Sequence, residues 1–371
     1  MNVTSSIFRK KSFFDYFPPP KLLMMPSAGF DISDEGVRFV EFERKPHGLV
    51  VSRFGERTIP TGLIAEGYVN DKDKVIEIFR SLAKDIGTQF VRATLPEERS
   101  YIFHTSLPRA AKDAMASAIE FKIQENVPIP PVKAIFDYEI VSGGREGDSD
   151  IGVSVTVVQR SLVETYTEIL KAAGLIPTAF KIASQAIARA VAPSYEGEAS
   201  LVIHVGDTKT ILFIVEGGIV QFSSTLKVGS ATFINLIEKY FKVSRAEAEK
   251  IKRQRIFSAG QENEELLFSL ASSLSVVKDE MAKLMRYWQE RSGAGNSATI
   301  AKVILSGEDA ILAEVDRYLS LESPISFGIA QVWRNAFSLD TYIPPLSLTE
   351  ALNYAAAIGL ALPPPPHIHH V

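Results

Sequence analysis

The sequence predicts an α/β fold of two similar halves with a small α+β insertion in the first, and three observations carry that expectation. Residues 200–218 read as two β-branched, apolar strands joined by a small polar turn. Residues 28–42 repeat the design about 170 positions earlier, which suggests duplicated halves facing one another. A block near 106–176 carries helix-like and strand-like runs of its own.

Taken in order, the chain opens with an arm, 1–27, in which Arg9, Lys10 and Lys11 precede Phe13, Phe14, Tyr16, Phe17 and three prolines. It lacks the unbroken apolar core of a secretion signal. It reads either as a segment folded back on its own domain or as one that docks on lipid or a partner. Strands follow at 28–33, 36–44 and 48–58, then a helix at about 71–87 with Val75, Ile76, Phe79, Leu82, Ala83 and Ile86 on one face. After strands near 90–95 and 100–106, Leu107 and Pro108 are expected to open a helix reaching Asn126, because proline suits a first helical turn. Pro128, Pro130 and Pro131 end it. Strands at 133–142 and 151–159 flank a loop at 142–149, and a helix from Leu162 to Ala173 turns Leu162, Tyr166, Ile169 and Leu170 inward.

The second half begins with the hairpin at 200–222 and continues into helices at about 230–242, 244–256 and 262–291. In the last, Leu274, Val277, Met281, Leu284, Met285 and Trp288 form an apolar stripe read as core. A loop at 293–297, a buried strand at 302–306 and a helix at 308–321 follow. The tail, 363–371, holds four prolines and three histidines and is expected to be extended; such a tail does not preorganise metal ligands.

Composition narrows the function classes. With 371 residues, 46% hydrophobic and 23% charged, the chain has the makings of two or three globular domains. A formal net charge of −4 gives no overall basic field, so nucleic acid is not an expected partner. The absence of cysteine excludes disulfides and thiolate zinc sites and suits a reducing compartment. The longest apolar run, 351–362, is too short to span a bilayer.

The two polar turns carry the chemistry. Backbone N–H groups of a glycine-containing turn converge on phosphate oxygens, threonine hydroxyls add donors, and Asp207 is placed to hold magnesium through water. An ordinary hairpin of this composition has the same turn. Taken with 304–310 and 354–362, however, the order of motifs resembles the actin-like ATPase superfamily. More narrowly, it resembles the PilM family of cytoplasmic type IV pilus assembly proteins, relatives of the cell-division protein FtsA. The likeness runs from about Ala28 to Leu362 and draws also on 95–101, 119–122 leading into 127–130, 228–233 and 244–252.

That resemblance implies a ribonuclease H-like, actin-like two-domain fold. It places the first domain at 28–105 with 177–198 and 349–362, the inserted subdomain at 106–176, and the second domain at 199–348 with a helical part at about 230–300. It further implies ATP and magnesium. Asp31 and Ser33 would belong to the first phosphate loop, Gly206, Asp207, Thr208 and Thr210 to the second, and Gly307 to the adenosine loop. Asp31 and Asp207 would hold magnesium through water. Glu249 and Lys252 match a ribose-facing Glu-x-x-Lys pair, although a solvated pair explains them equally. Gly229, where the chain leaves the second sheet, would permit close approach to phosphate, or is a simple turn glycine.

Three departures stand out: His204 where the family has Asp, Ser33 where Gly is usual, and Glu308 and Asp309 where glycines are usual. Carboxylates near a nucleotide repel it. Slow or absent hydrolysis is therefore expected, no catalytic residue is assigned, and His204 is read as a buried neutral histidine. The resemblance also implies a partner, a PilN-like bitopic inner-membrane protein whose N-terminal cytoplasmic peptide is gripped beside the insertion. Membrane contact would be indirect, the location cytoplasmic and peripheral to the inner membrane, and self-association is left open. The competing readings are a binding module of the same fold with a decayed nucleotide site and a small-molecule kinase, for which no strong motif is present.

Overall fold

The computed structural model describes residues 26–46, 48–108, 114–142, 150–193, 198–253, 264–291, 299–307, 310, 313–320 and 323–363. The arm, most of the tail, and Glu308 with Asp309 lie outside the described residues, as does much of the loop at 142–149.

The first half starts with strands β1 (Ala28–Ile32), β2 (Gly36–Lys45) and β3 (Gly48–Thr58) and the short pair β4 (Ile64–Ala65) and β5 (Tyr68–Val69). Helix α1 (Lys72–Ala83) is started by Asp71, whose side chain accepts from the Lys74 backbone N–H at 3.1 Å, and buries Val75, Phe79 and Leu82. Strand β6 (Phe90–Leu95) follows. The insertion holds β7 (Ser100–Pro108), α2 (Met115–Asn126), β8 (Ala134–Ser142) and β9 (Asp150–Gln159); α3 (Arg160–Ala172) and β10 (Ile176–Ile182) return the chain to the first half.

Helix α4 (Ala183–Val191) leads to the second half, with β11 (Ala199–Val205), β12 (Thr210–Glu216) and β13 (Ile219–Leu226). Helices α5 (Ser230–Phe241), α6 (Arg245–Arg253) and α7 (Glu264–Arg291), strand β14 (Ile300–Ser306), helix α8 (Ala313–Ser320) and β15 (Ser326–Ile329) complete it, before α9 (Leu348–Asn353) and α10 (Ala355–Ala361).

The duplication is topological. The first sheet runs β10-β6-β1-β2-β3 and the second β15-β14-β11-β12-β13. In each, the opening hairpin is antiparallel and its first strand pairs in parallel with a later one, β6 or β14. The central strands are continuous apolar runs because both faces are covered. Val202, Phe213, Val215 and Ile304 join a core shared by the two halves, whereas Leu201, Ile203, Leu212 and Leu305 face the core beneath α5 and α7.

Helices α4 and α10 fill the space between the sheets with alanine and glycine. A Cβ on Gly359 would lie 1.8 Å from the Ala186 carbonyl oxygen, and one on Gly29 1.9 Å from that of Ala357, so these backbones touch directly. Arg92 donates to the carbonyls of Leu360 and Leu362, and Arg189 to those of Leu362 and Pro363, which satisfies the end of α10.

Two expectations change. Leu107 and Pro108 do not start a helix: they extend β7, paired with Ile151 and Asp150 of β9, and Pro108 sits at the end of an edge strand where its missing N–H is tolerated. The inserted sheet also begins at Ser100, and Leu162, Tyr166, Ile169 and Leu170 of α3 pack into the first half's core. The insertion proper thus closes its own core with Ile119, Ile123, Val153 and Val155, and Ser154 donates to the Val220 carbonyl of the second half at 3.1 Å.

Candidate functional site

The ends of the two opening hairpins face one another across a cleft of about 100 Å³, lined among others by Asp31, Ser33, Gly206, Asp207 and Thr208. Five of the ten expected site residues thus meet in one place. The remaining five have other surroundings.

The first loop closes on itself. The Ser33 backbone N–H and hydroxyl both donate to the Gly36 carbonyl, at 2.9 and 3.0 Å, and the Gly36 N–H donates to the Ser33 hydroxyl at 3.1 Å. Asp31 accepts from the Thr94 hydroxyl at 3.0 Å; burial pushes its pKa up, opposed by Arg38 and by that hydrogen bond. Asp34 accepts from the N–H groups of Glu66, whose φ is 50°, and Gly67.

The second loop is held from behind. Gly206 N–H donates to the Lys209 carbonyl at 2.8 Å, and the first N–H groups of α5, on Ser230 and Ala231, donate to the carbonyls of Gly206 and Asp207. Gly229 makes this possible: a Cβ there would lie 2.7 Å from three backbone atoms of the loop. The close approach it permits is therefore to protein backbone, and these helix N–H groups are already engaged. Thr210 is buried, its hydroxyl donating to the Val228 carbonyl at 2.7 Å. Gly307, at φ 91°, ends β14 with its Cα against Val205. On α6, Lys252 is buried and donates to the Ser230 hydroxyl, whereas Glu249 faces Arg245 of the same helix at 3.7 Å.

His204 shares its Nδ1 with the Ser306 hydroxyl at 3.2 Å; burial pushes its pKa down to about 4, Arg38 adds to that, and Asp207 opposes it. The imidazole is neutral at physiological pH, as the sequence reading expects.

Five residues absent from that reading define the cleft's electrostatics. Arg38, opposite Asp31 in the β1–β2 register, donates to Asp207 at 3.2 Å. Lys209 binds Asp34 at 2.7 Å and also Glu98. Glu97, 6% exposed, accepts from the Ser184 N–H and hydroxyl at 2.9 and 2.7 Å; burial raises its pKa against these bonds and one from Ser223. Strand alternation places Arg38 on the same ladder position as Asp31, the one signal available for it. Magnesium does not fit the resting arrangement: the guanidinium of Arg38 stands where a cation would neutralise Asp207, and no cluster of three metal-ligating side chains occurs among the described residues. Among these residues, no helix is long and apolar enough to cross a membrane.

Residues 29–364 match the family model described as type IV pilus assembly protein PilM. No curated protein matches the chain. Among solved structures, the PilM-PilN type IV pilus biogenesis complex aligns with TM-score 0.73 at 18% identity over 91% of this chain and 98% of that one. MreB 5 of Spiroplasma citri bound to AMPPNP aligns with TM-score 0.52 at 13% identity, covering 91% and 95%. The same protein bound to ADP gives 0.50 at 11%, covering 90% and 94%. These likenesses show the actin-like two-domain fold.

Proposed function

The chain belongs to the family of type IV pilus assembly proteins PilM, and on that premise we propose that it is an ATP-binding assembly platform, with the nucleotide in the cleft between the halves. One observation carries the reading: two loops of matched topology, each at the end of an opening hairpin, converge on one cleft through Asp31, Ser33, Gly206, Asp207 and Thr208. Neither half encloses a ligand alone. Nucleotide-bound neighbours of the same fold support ATP as the ligand class. The nucleotide brings its magnesium as a chelate, because the resting side chains make no cage for the bare ion. Asp31 and Asp207 remain the proposed water-mediated contacts to it; Gly229, Thr210, Lys252 and Gly307 support the second loop from behind, and Glu249 of α6 is proposed to face the ribose.

Chemistry beyond binding is not part of the proposal. His204, neutral and bonded to Ser306, leaves no carboxylate at that position to orient water. The expected result of isothermal titration with ATP and magnesium is binding without measurable turnover, weakened about tenfold or more by Asp207→Ala. No binding over a millimolar range would hand the reading to the alternative, a platform with a decayed nucleotide site. That alternative has its own support: a cleft near 100 Å³ is below the roughly 300–1,000 Å³ usual for ligand pockets, and ion pairs occupy it. A substrate-dependent ADP-release screen tests the kinase reading.

The partner follows from the family. A PilN-like bitopic inner-membrane protein is proposed to dock its N-terminal cytoplasmic peptide beside the insertion and so bring the chain to the membrane. The inserted sheet offers edge strands β7 and β8, to which an extended peptide adds by main-chain hydrogen bonds. Co-purification with and without the peptide tests this. Retained recruitment after its deletion would shift attention to the arm with Phe13, Phe14, Tyr16 and Phe17.

A further inference from the structure

Several charge pairs at the cleft join one half to the other, although Arg38 and Glu66 also pair within the first half, with Glu56 and Arg99. Lys209, in the second loop, extends its ammonium between Asp34 of the first loop, 2.7 Å away, and Glu98 of the 3-10 turn Glu97–Arg99 after β6. Both partners belong to the first half. Arg38 of β2 reaches Asp207 of the second loop at 3.2 Å. At the rim, Lys227 meets Glu66.

Solvent access separates these contacts. The side chains of Lys209, Asp34 and Glu98 are 16 to 21% exposed, whereas Lys227 and Glu66 are 77% and 53% exposed. Exposed pairs contribute little and are screened by salt, so the inner pairs decide. Both sides of the inner contact are also held in place before they meet. Asp34 is fixed by the N–H groups of Glu66 and Gly67, at 3.0 and 3.2 Å, and the second loop by the start of α5. A positioned pair loses less side-chain freedom on contact than two mobile ones. Burial alone would lower the pKa of Lys209, yet its bonds to Asp34 and Glu98 outweigh that and hold it above the usual lysine value.

We propose that Lys209, with Asp34 and Glu98, is the bolt of an ion-pair latch, seconded by Arg38 and Asp207, that ties the two halves together across the cleft. The two carboxylates offer Lys209 what the anionic oxygens of a ligand would offer, so a nucleotide entering the cleft competes with Asp34 and Glu98 for the same ammonium. The latch stands on these pairs alone and apart from the nucleotide reading.

The chain has no cysteine, so spin labels attach only where cysteines are introduced. Lys84→Cys, after α1, and Lys250→Cys, on α6, place one label on each half at exposed positions. Distances between them are measured by pulsed electron resonance on the full chain without nucleotide. The otherwise unaltered chain is expected to give one narrow distribution. Adding Lys209→Met should lengthen and broaden it, whereas Lys209→Arg, which keeps a cation between Asp34 and Glu98, should leave it narrow. An unchanged distribution in Lys209→Met overturns the latch. So does equal lengthening in Lys209→Arg, because the exact packing of the lysine and not its charge would then hold the halves. Circular dichroism on each variant verifies that it is folded.

Discussion

The two hairpin loops sit at equivalent points of two sheets with the same strand order, yet they are supported differently. The first, Ile32 to Gly36, is closed by three hydrogen bonds between Ser33 and Gly36 and tied to loops and strands of its own half through Thr94, Ile59, Glu66 and Gly67. The second, Val205 to Thr210, is tied to the next helix through Ser230, Ala231 and the missing side chain of Gly229. Their charge differs as well, with Asp31, Asp34 and Glu35 in one and Lys209 beside Asp207 in the other. A shared topology fixes where the loops are. It leaves open what each leans on, and complementary charge has accumulated across the gap.

The comparison breaks first if the loops tolerate the same substitution. Gly229→Ala places a methyl 2.7 Å from loop backbone and is expected to destabilise by about 3 kcal/mol in chemical denaturation, near the upper end for overpacking. Gly36→Ala meets nothing nearer than 3.4 Å and should stay within about 1 kcal/mol of the parent. Equal losses would mean that the second loop is not backed by α5 as described.

His204 at the base of the second loop has no counterpart in the first, and its titration sharpens the contrast. With a folded pKa of about 4 against 6.5 unfolded, the unfolded chain binds the extra proton between those values. Stability from the neutral imidazole is present above pH 6.5 and is lost as pH falls toward 4, by up to roughly 3 kcal/mol. His204→Asn should flatten that part of the profile in urea melts from pH 4 to 7. An unaltered slope would place the histidine in solvent.

The hydroxyls give smaller differences. Thr210→Val leaves the Val228 carbonyl short of a buried partner and should cost about 1–2 kcal/mol; Ser33→Ala, in a more open loop, should cost about 1 kcal/mol. The reverse order in thermal melts would contradict the view that the buried Thr210 bond holds the second loop more tightly than the Ser33 bonds hold the first. Lys227→Ala, at the exposed rim, should leave the melting temperature unchanged.

Much of the scaffold was legible because it is written in short-range pattern. The apolar face of α1 and the paired hairpins follow from periodicity alone. Pro108 misled because a proline after an apolar residue fits a helix start as well as a strand end, and only pairing with Asp150 of β9 decides between them. Periodicity turns Leu162, Tyr166 and Ile169 inward, but the core they enter is the first half's, a tertiary fact. In the cleft, Asp31 and Asp207 were visible as turn carboxylates. Lys209 was not, since its partners Asp34 and Glu98 lie 175 and 111 residues away and meet it only once the halves are placed.

Helices α4 and α10, which carry the chain between the halves, touch backbone to backbone at Gly359 and Ala186. Packed helices ordinarily mesh like gears, ridge into groove, and turning one against the other means lifting side chains over teeth. With alanine and glycine at the contact, the teeth are filed down. Close approach keeps the two shafts from separating, with small side chains at that one crossing. The angle between the halves is then shared between the apolar core that surrounds the axle and the far end of the lever, where a few charges meet across the cleft.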